Sequence, residues 1–202
     1  CPYTMTPEFI VVHNTANDAS ARNEVAYMIR NDNKVSFHYA VDDKEIVQGI
    51  PENRNAWHAG DGASGPGNRK GIGIEICFSK SGGKRFEEAE KLAAKFIAYK
   101  LYEKGWGIDK VKKHQDFSGK YCPHRTLDMG WQRFLDMVKS ELDKLKGADK
   151  VTDKNTPSFW AKEAWEWAKK EGITDGTRPK DTMTREEMVT MLHRYHKQVA
   201  QK

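Results

Sequence analysis

The chain has 202 residues, of which 38% are hydrophobic and 31% are charged, with a formal net charge of +5. This length predicts one domain with a smaller companion, or a single larger domain, and the apolar content suffices for a core. No run of 18 apolar residues occurs, so membrane insertion is not expected, and the first residues do not show the pattern of a signal peptide. The three cysteines do not predict a disulfide framework and favour synthesis in a reducing compartment.

The positive charge favours polyanionic partners, namely nucleic acid, anionic lipid or anionic wall polymers. The basic residues are scattered among acidic ones rather than gathered in one segment, which is also typical of a solvated mixed surface. Composition alone therefore leaves the partner open.

Strand-like and helix-like apolar patterns alternate along the first 146 residues. A Gly-rich loop follows the predicted hairpin, and residues 113–126 form an irregular segment. The alternation predicts an α/β fold with a mixed central β-sheet flanked by helices. In chain order the patterns predict a strand over 8–13, a helix over 18–30, a hairpin turning at 42–44, a strand over 71–79, a helix over 84–104, a short strand ending at His114 and a helix over 131–145.

The end of the chain differs from this pattern. Residues 147–157 lack apolar periodicity and predict a linker between a domain over 1–146 and a small helical module over 158–202. Two helices are predicted in this module, over 159–171 and 184–197. A module of this size is too small to be stable alone, so we expect it to pack on the first domain, on a second copy or on a repeat outside this chain.

Three potential metal ligands lie at or after the ends of predicted strands. His13 ends the first strand, His114 ends the last one, and Cys122 follows in the irregular segment. Such positions converge in sheet-based domains, and one thiolate with two imidazoles suits zinc. A structural zinc site usually has four protein ligands, whereas three leave a position for water. Spacing alone leaves open that the three residues are unrelated.

Two further residues have the chemistry that amide cleavage needs. Glu75 lies in the otherwise apolar strand GIGIEI, where a carboxylate costs free energy to bury unless it has a role. Near a metal it could take a proton from water and pass it to the leaving amine. Lys120, two residues before Cys122, could stabilise the oxyanion of a tetrahedral intermediate. The alternatives are a glutamate that faces solvent and an ordinary surface lysine.

The motifs VVHNT, SFHYAVDD, AWHAGDG, GIGIEI and HQDFSGKYCPH occur in this order. With them the chain resembles, over roughly residues 5–145, the zinc-dependent N-acetylmuramoyl-L-alanine amidases of the type-2 family, which includes phage endolysins and peptidoglycan recognition proteins. The resemblance implies Zn²⁺ as cofactor, peptidoglycan as substrate and cleavage between N-acetylmuramic acid and L-alanine. The residues that it assigns are His13, His114 and Cys122 to the metal, and Glu75 and Lys120 to catalysis.

One position departs from the pattern of some family members, which have a tyrosine where Phe37 stands. Phenylalanine cannot exchange a proton, so the proton-transfer role is expected to fall more heavily on Glu75. Phe37 is predicted at the substrate groove together with Trp57 and His58 of the Gly-rich loop. Trp57 would offer a stacking face to sugar or peptide.

The segment from FWAKEAW to TREEM resembles a single S-layer homology motif. The resemblance implies binding to an anionic secondary polymer of Gram-positive walls, with Arg185 as the anion contact. That family normally carries three copies, so a tail that dimerises the chain through its helices is the alternative. At least two of Trp160, Trp165 and Trp167 are expected to pack between helices.

Together these features predict a peptidoglycan hydrolase of the endolysin type, made in the cytoplasm without a signal peptide and acting on the wall after release. Neither nucleic-acid binding nor membrane insertion is expected. The alternative is a non-catalytic peptidoglycan-binding recognition protein on the same fold, against which the presence of Cys122 argues. A glycosidase would need two carboxylates about 5–10 Å apart, for which Asp61 and Glu75 are the candidates.

Overall fold

The chain divides into two compact units, residues 1–146 and residues 147–202. Among the described residues, every helix is too short or too polar to cross a lipid bilayer. The computed structural model describes residues 2–30, 32–150, 157 and 161–198, apart from the side chains of 148–150 and 198.

Five strands of the first unit form one sheet, and they are β1 (Phe9–Asn14), β2 (Tyr39–Val41), β3 (Ile46–Gln48), β4 (Gly71–Ile76) and β5 (Val111–Lys113). Their order in the sheet is β3-β2-β4-β1-β5. β1 pairs in parallel with β4 and β5, and β2 pairs in parallel with β4. Only the hairpin of β2 and β3 is antiparallel among the described strands. The predicted mixed sheet is therefore confirmed.

The helices of the chain are α1 (Ala21–Arg30), α2 (Pro66–Lys70), α3 (Gly83–Glu103), α4 (Gln115–Ser118), α5 (His124–Asp128), α6 (Trp131–Lys150), α7 (Lys162–Lys170) and α8 (Arg185–Gln198), with a 3₁₀ turn at Ile108–Lys110. The short helices α2, α4 and α5 lie in segments whose sequence predicted only loops. α6 continues to Lys150, so the first residues of the predicted linker over 147–157 are helical. Residues 151–156 of that linker lie outside the described residues.

α1 begins three residues later than its sequence predicts. Asp18 is engaged elsewhere, because its Oδ1 accepts hydrogen bonds from the backbone and hydroxyl of Ser81. The amide of Ala21 instead donates to Oδ2 of Asp42, at 2.9 Å. A long-range partner therefore satisfies the first free N–H of this helix, while Ser20 acts as the local cap by accepting a hydrogen bond from the amide of Asn23, at 3.4 Å.

The central strands are buried on both faces, as parallel strands covered by helices usually are. Ile10 and Val12 of β1 and Ile72 and Ile74 of β4 have no exposed surface. The long helix α3 contacts β2 and β4. It contributes Phe86, Ile97 and Leu101 to the same core, and α6 contributes Phe134, Val138 and Leu142.

The parallel register brings polar residues to one edge of the sheet. His13 near the end of β1 lies opposite Glu75 of β4. β5 ends one residue before His114, whose amide donates to the carbonyl of Val12. Because the carboxyl ends of parallel strands meet at one edge, these three residues become neighbours.

The second unit is a helical pair with little interior. Ile173 and Thr174 are its buried residues among those described. Thr184 and Glu187 form a capping box at the start of α8, with each side chain bonded to the amide of the other residue. Trp165 is half-buried. Trp167 is 44% exposed, but its ring meets that of Tyr195 in α8 edge to face, with centroids 6.3 Å apart, so it does contact the second helix. Trp160 lies outside the described residues.

Candidate active site

Three side chains that can bind a metal converge at the carboxyl edge of the sheet. Nδ1 of His13 lies 3.0 Å from Nδ1 of His114 and 3.9 Å from Sγ of Cys122. All three ligand atoms lie within 4.8 Å of one another, and all three residues are buried. The structure therefore brings together the residues whose spacing alone left open that they were unrelated.

Burial keeps these groups neutral in the absence of a cation. It lowers the pKa of His13 well below its ordinary value, and the neighbouring His58 and His114 act in the same direction. Burial, followed by the charge of Lys120, lowers the pKa of His114 to about 4. Both imidazoles are thus in the form that binds metals near pH 7.

The thiol of Cys122 responds to burial in the opposite sense. Burial, then the nearby carboxylate of Glu75, raises its pKa to about 11. Cys122 is a free thiol, as is the buried Cys77. A bound cation would favour the thiolate, since an opposite charge stabilises the ionised form.

His58 occupies a different place from the one its sequence predicts. Its Nδ1 lies 2.9 Å from Nε2 of His13, and its ring is only 6% exposed. Burial, then the neighbouring His38, lowers its pKa to about 3. The ring is packed behind a metal-ligand candidate and has little surface for a ligand, so the structure gives no support to the prediction of a groove residue.

Glu75 lies beside the cluster, on the strand next to His13. Burial, then the carboxylate of Glu24, raises its pKa to about 8, against an opposing effect of Lys120. Its Oε2 is buried and has no hydrogen-bond partner among the described residues. A buried carboxyl group with a free oxygen and a pKa near neutrality is suited to transferring a proton. Glu75 as a whole is half-buried, but a glutamate that simply faces solvent would not have a buried Oε2.

Lys120 lies at the outer side of the cluster. Its side chain is exposed, and its carbonyl accepts a 2.7 Å hydrogen bond from the amide of Cys122. Its positive charge contributes to the lowered pKa of His13 and His114, after burial. The ammonium is therefore close enough to influence a charge that develops at this site.

The other two predicted substrate contacts differ in exposure. Trp57 is 38% exposed and remains available to a ligand. Phe37 is only 5% exposed and belongs to the hydrophobic core. The residue lies just before the buried start of β2 and packs inward, so the structure gives no support to its predicted place in the substrate groove.

The candidate for a second glycosidase carboxylate is already engaged. Asp61 accepts hydrogen bonds from the amides of Gly67, at 2.6 Å, and Asn68, at 3.2 Å. It therefore holds the first turn of α2. This structural role argues against Asp61 as a free acid or base.

Two asparagines that sequence reasoning missed hold the site together. Asn14 accepts hydrogen bonds from the amides of Arg125 and Thr126, at 3.0 Å and 3.2 Å, and so fastens α5 to β1 just after Cys122. Asn68 accepts from the amides of His58 and Ala59, both at 2.8 Å. The sequence offers little indication of these roles: Asn14 is a polar residue at the end of an apolar strand, and Asn68 is one of several polar residues in a Gly-rich loop.

The predicted wall contact lies in the second unit. Arg185 is the first residue of α8 and is exposed. This unit contains a cavity of about 740 Å³ whose lining includes Arg178 and Arg194 but not Arg185. Arg178 is partly neutralised, because it lies 3.4 Å from the carboxylate of Glu187.

Comparisons with known proteins agree with this geometry. The Amidase_2 family, described as N-acetylmuramoyl-L-alanine amidase, matches residues 3–125. The N-acetylmuramoyl-L-alanine amidase CwlA of Bacillus subtilis is 52% identical over 200 residues, which are 96% of this chain and 72% of that protein. The B. subtilis amidase XlyB is 61% identical over 144 residues, which are 71% of this chain and 45% of XlyB.

A solved structure extends the likeness to the fold. The structure of PlyL is 56% identical with a TM-score of 0.68, and the match covers 70% of this chain and 89% of that one. The family match spans more than half of the chain, and the relative CwlA spans nearly all of it. The chain therefore belongs to the Amidase_2 family of N-acetylmuramoyl-L-alanine amidases.

Proposed function

We propose that this chain is a zinc-dependent peptidoglycan hydrolase of the endolysin type that cleaves the amide bond between N-acetylmuramic acid and L-alanine. Peptidoglycan hydrolysis as the general activity follows from the family. The observation that carries the finer proposal is the convergence of His13, His114 and Cys122 beside Glu75 at one edge of the sheet.

The three donor atoms suit zinc in kind and in spacing. Zinc binds imidazole nitrogen at about 2.0–2.1 Å and thiolate sulfur at about 2.3 Å in a tetrahedron, so two nitrogens lie about 3.4 Å apart, and nitrogen and sulfur about 3.6 Å apart. The separations of 3.0 Å and 3.9 Å in this chain are near these values. When bound, zinc would polarise the scissile carbonyl and lower the pKa of a coordinated water to about 7.

Glu75 has the position and protonation behaviour of the proton-transfer group. Its pKa of about 8 would fall toward neutrality beside a cation, because a positive charge favours the carboxylate. The carboxylate can then take a proton from the attacking water and deliver it to the departing amino group of L-alanine. Its free Oε2 provides the acceptor for this proton.

Lys120 supplies positive charge where the carbonyl oxygen becomes negative. Its exposed ammonium lies on a short loop whose backbone is fixed to Cys122. A donor that is already in place costs no reorganisation when the tetrahedral intermediate forms. Trp57 precedes the buried His58 in the sequence but is itself exposed, so it remains the candidate for stacking on the glycan or the peptide.

The second unit is proposed to hold the enzyme on the wall. Arg185, Arg178 and Arg194 give this unit exposed cations that could bind the carboxylates of an anionic secondary wall polymer. The alternative is that α7 and α8 form a dimer contact. Exposed apolar residues on α8, among them Val189, Leu192 and Tyr195, favour that alternative.

A paired assay on purified Gram-positive walls tests the proposed reaction. Loss of turbidity, release of free amino groups and appearance of reducing ends are measured before and after chelation, and again after zinc is restored. We expect lysis with new L-alanine amino groups, loss of lysis with the chelator, and recovery with zinc.

Two results would contradict the proposal. Lysis that resists chelation and produces reducing ends would indicate a glycosidase. Binding to walls without any cleavage would indicate a recognition protein on the same fold, although the intact set of Cys122, Glu75 and Lys120 argues against that outcome.

A further inference from the structure

We propose that His58 is a positioning residue that fixes the tautomer of His13 and thereby directs the Nδ1 lone pair of His13 toward the metal. The inference rests on the proposed metal site. It concerns a buried histidine that the catalytic roles above do not use. The supporting observation is a series of hydrogen bonds that runs from the carbonyl of Gly71 through His58 to His13 in the cluster.

The series begins at Gly71 in β4. Nε2 of His58 lies 3.2 Å from the carbonyl oxygen of Gly71. A carbonyl can only accept, so Nε2 of His58 carries the hydrogen. A neutral imidazole has one N–H, and Nδ1 of His58 is therefore left as an acceptor.

The hydrogen bond between His58 and His13 then determines which nitrogen of His13 carries the hydrogen. Nδ1 of His58 lies 2.9 Å from Nε2 of His13, so Nε2 of His13 must be the donor. Its Nδ1 is then unprotonated and points to Nδ1 of His114 and Sγ of Cys122, at 3.0 Å and 3.9 Å. Hydrogen bonding at one ring nitrogen thus selects the other as the metal ligand.

The surroundings of His58 hold its ring in one orientation. Its amide donates to Asn68, at 2.8 Å, which fixes the backbone behind the ring. The ring lies so close to Gly73 that a Cβ there would be 2.9 Å from its carbons Cγ and Cδ2. Gly73 of β4 therefore makes room for the imidazole, and any larger residue would displace it.

His38 packs against His58 from another side, and its own ring is held by two hydrogen bonds. Its Nδ1 accepts from the amide of Gly73, and its Nε2 donates to the carbonyl of Arg54, both at 2.9 Å. The rings of His38 and His58 meet edge to face, with centroids 5.9 Å apart. β4 and the AWHAG loop together hold the ring of His58 in place, so the orientation of this ring is set by both segments.

Two substitutions of His58 separate positioning from simple packing. His58→Phe keeps a planar ring but removes the acceptor, whereas His58→Asn retains an oxygen near the position of Nδ1 that can accept from His13. His193→Phe, at an exposed position in the second unit, is the matched control. Affinities for Zn²⁺ and Co²⁺ are measured by competition with a chromophoric chelator, together with the visible spectrum of the Co²⁺ form.

We expect His58→Phe to weaken metal binding by about 10–100-fold and to change the Co²⁺ spectrum, as loss of an outer-shell partner usually does. His58→Asn should recover most of the affinity, and the control should match the unsubstituted chain. Equal affinities for all variants would overturn the proposal, as would an Asn variant as weak as the Phe variant.

A measurement on the unsubstituted, metal-free chain does not depend on whether the variants fold. Long-range ¹H–¹⁵N spectra of the imidazoles report which nitrogen carries the hydrogen. We expect the Nε2–H form for both His13 and His58, and an Nδ1–H form of His13 would overturn the inference. Absence of metal binding by the unsubstituted chain would instead overturn the proposed function, so the two failures are distinguishable.

Discussion

The two units of this chain treat polar side chains in opposite ways. The first buries His13, His38, His58 and His114 and gives most of their ring nitrogens hydrogen-bond partners, Nε2 of His114 being the exception among the described residues. The second keeps its charged pairs at the surface, as in Arg178 with Glu187, which are 57% and 41% exposed. A buried polar cluster needs a rigid frame to satisfy it, and only a sheet with a large core provides one here.

The difference implies a division between chemistry and attachment. Changes in the buried cluster should act on metal binding and on the rate of cleavage. Changes in the second unit should act on association with the wall and leave the rate on small substrates unaltered. Substitutions in each unit test this division.

Loss of a metal ligand should have the largest effect. Cys122→Ser should lower the rate of amino-group release by more than about 100-fold, because loss of an outer-shell partner alone costs about 10–100-fold in affinity or activity. Bound zinc is measured in parallel by elemental analysis. Cys77→Ala, which changes the other free buried thiol, is the control, and full activity of Cys122→Ser would contradict the metal assignment.

Loss of the proton-transfer group should come next. Glu75→Gln preserves shape but cannot accept a proton, so the rate should fall by about 100–10,000-fold while zinc binding is retained. Measurement of kcat/KM together with zinc content distinguishes this effect from loss of the metal. A variant that loses zinc and activity together would indicate that Glu75 acts through the metal site instead.

Glu75→Gln should also change how the free energy of unfolding of the metal-free protein depends on pH. The folded pKa of about 8 lies above the ordinary glutamate value of 4.5, so the protonated form stabilises the fold below pH 4.5. This stabilisation is lost as pH rises through 8, by up to roughly 1.4 kcal/mol per pH unit. Denaturant unfolding at pH 5 and pH 8 should therefore show Glu75→Gln gaining stability relative to the unsubstituted chain. A pH-independent difference would argue against the raised pKa.

Removal of the exposed ammonium should have a somewhat smaller effect on catalysis. Lys120→Met should lower kcat by about 100–1,000-fold, the usual loss for one oxyanion donor, with little change in zinc affinity. Lys113→Met, which removes a cation before His114 that is paired with Asp116, is a suitable control. Equal losses in the two variants would mean that general charge, rather than the position of Lys120, matters.

The smallest effect is expected in the second unit. Arg185→Ala should weaken sedimentation with purified walls by at most about fivefold, because exposed ion pairs contribute about 0–1 kcal/mol. The rate on a soluble muropeptide should stay the same. A reduced rate on the soluble substrate would break the division between chemistry and attachment, and unchanged wall binding would favour the dimer role of α7 and α8.

Local patterns were enough to predict the sheet and the long helices, whereas the cluster residues were only candidates by spacing and were assigned through the family resemblance. His13, His114 and Glu75 lie at strand ends or within a strand, where period and composition are informative. The burial of Phe37 and His58 was not predicted, because their surroundings come from distant segments. His58 contacts a residue 45 positions away, and no local pattern shows which way a loop imidazole turns.

The same limit applies to the irregular segments. Asp61 fits a catalytic carboxylate by type alone, and only the folded chain shows that it holds the start of α2. α1 starts late because Asp18 bonds to Ser81, which is 63 residues away. These choices depend on which of several polar partners a group reaches, and that is decided by the tertiary fold.

The parallel register of β1 and β4 has a consequence for heat inactivation. His13 and Glu75 lie opposite each other on adjacent strands, so the spacing between them is set by the backbone ladder of the central sheet. Fraying of the surrounding loops leaves this spacing intact. The spacing of His13 and Glu75 should therefore persist up to the temperature at which the sheet itself melts. Cys122 and Lys120 lie outside the sheet, so activity should be lost at or below that temperature.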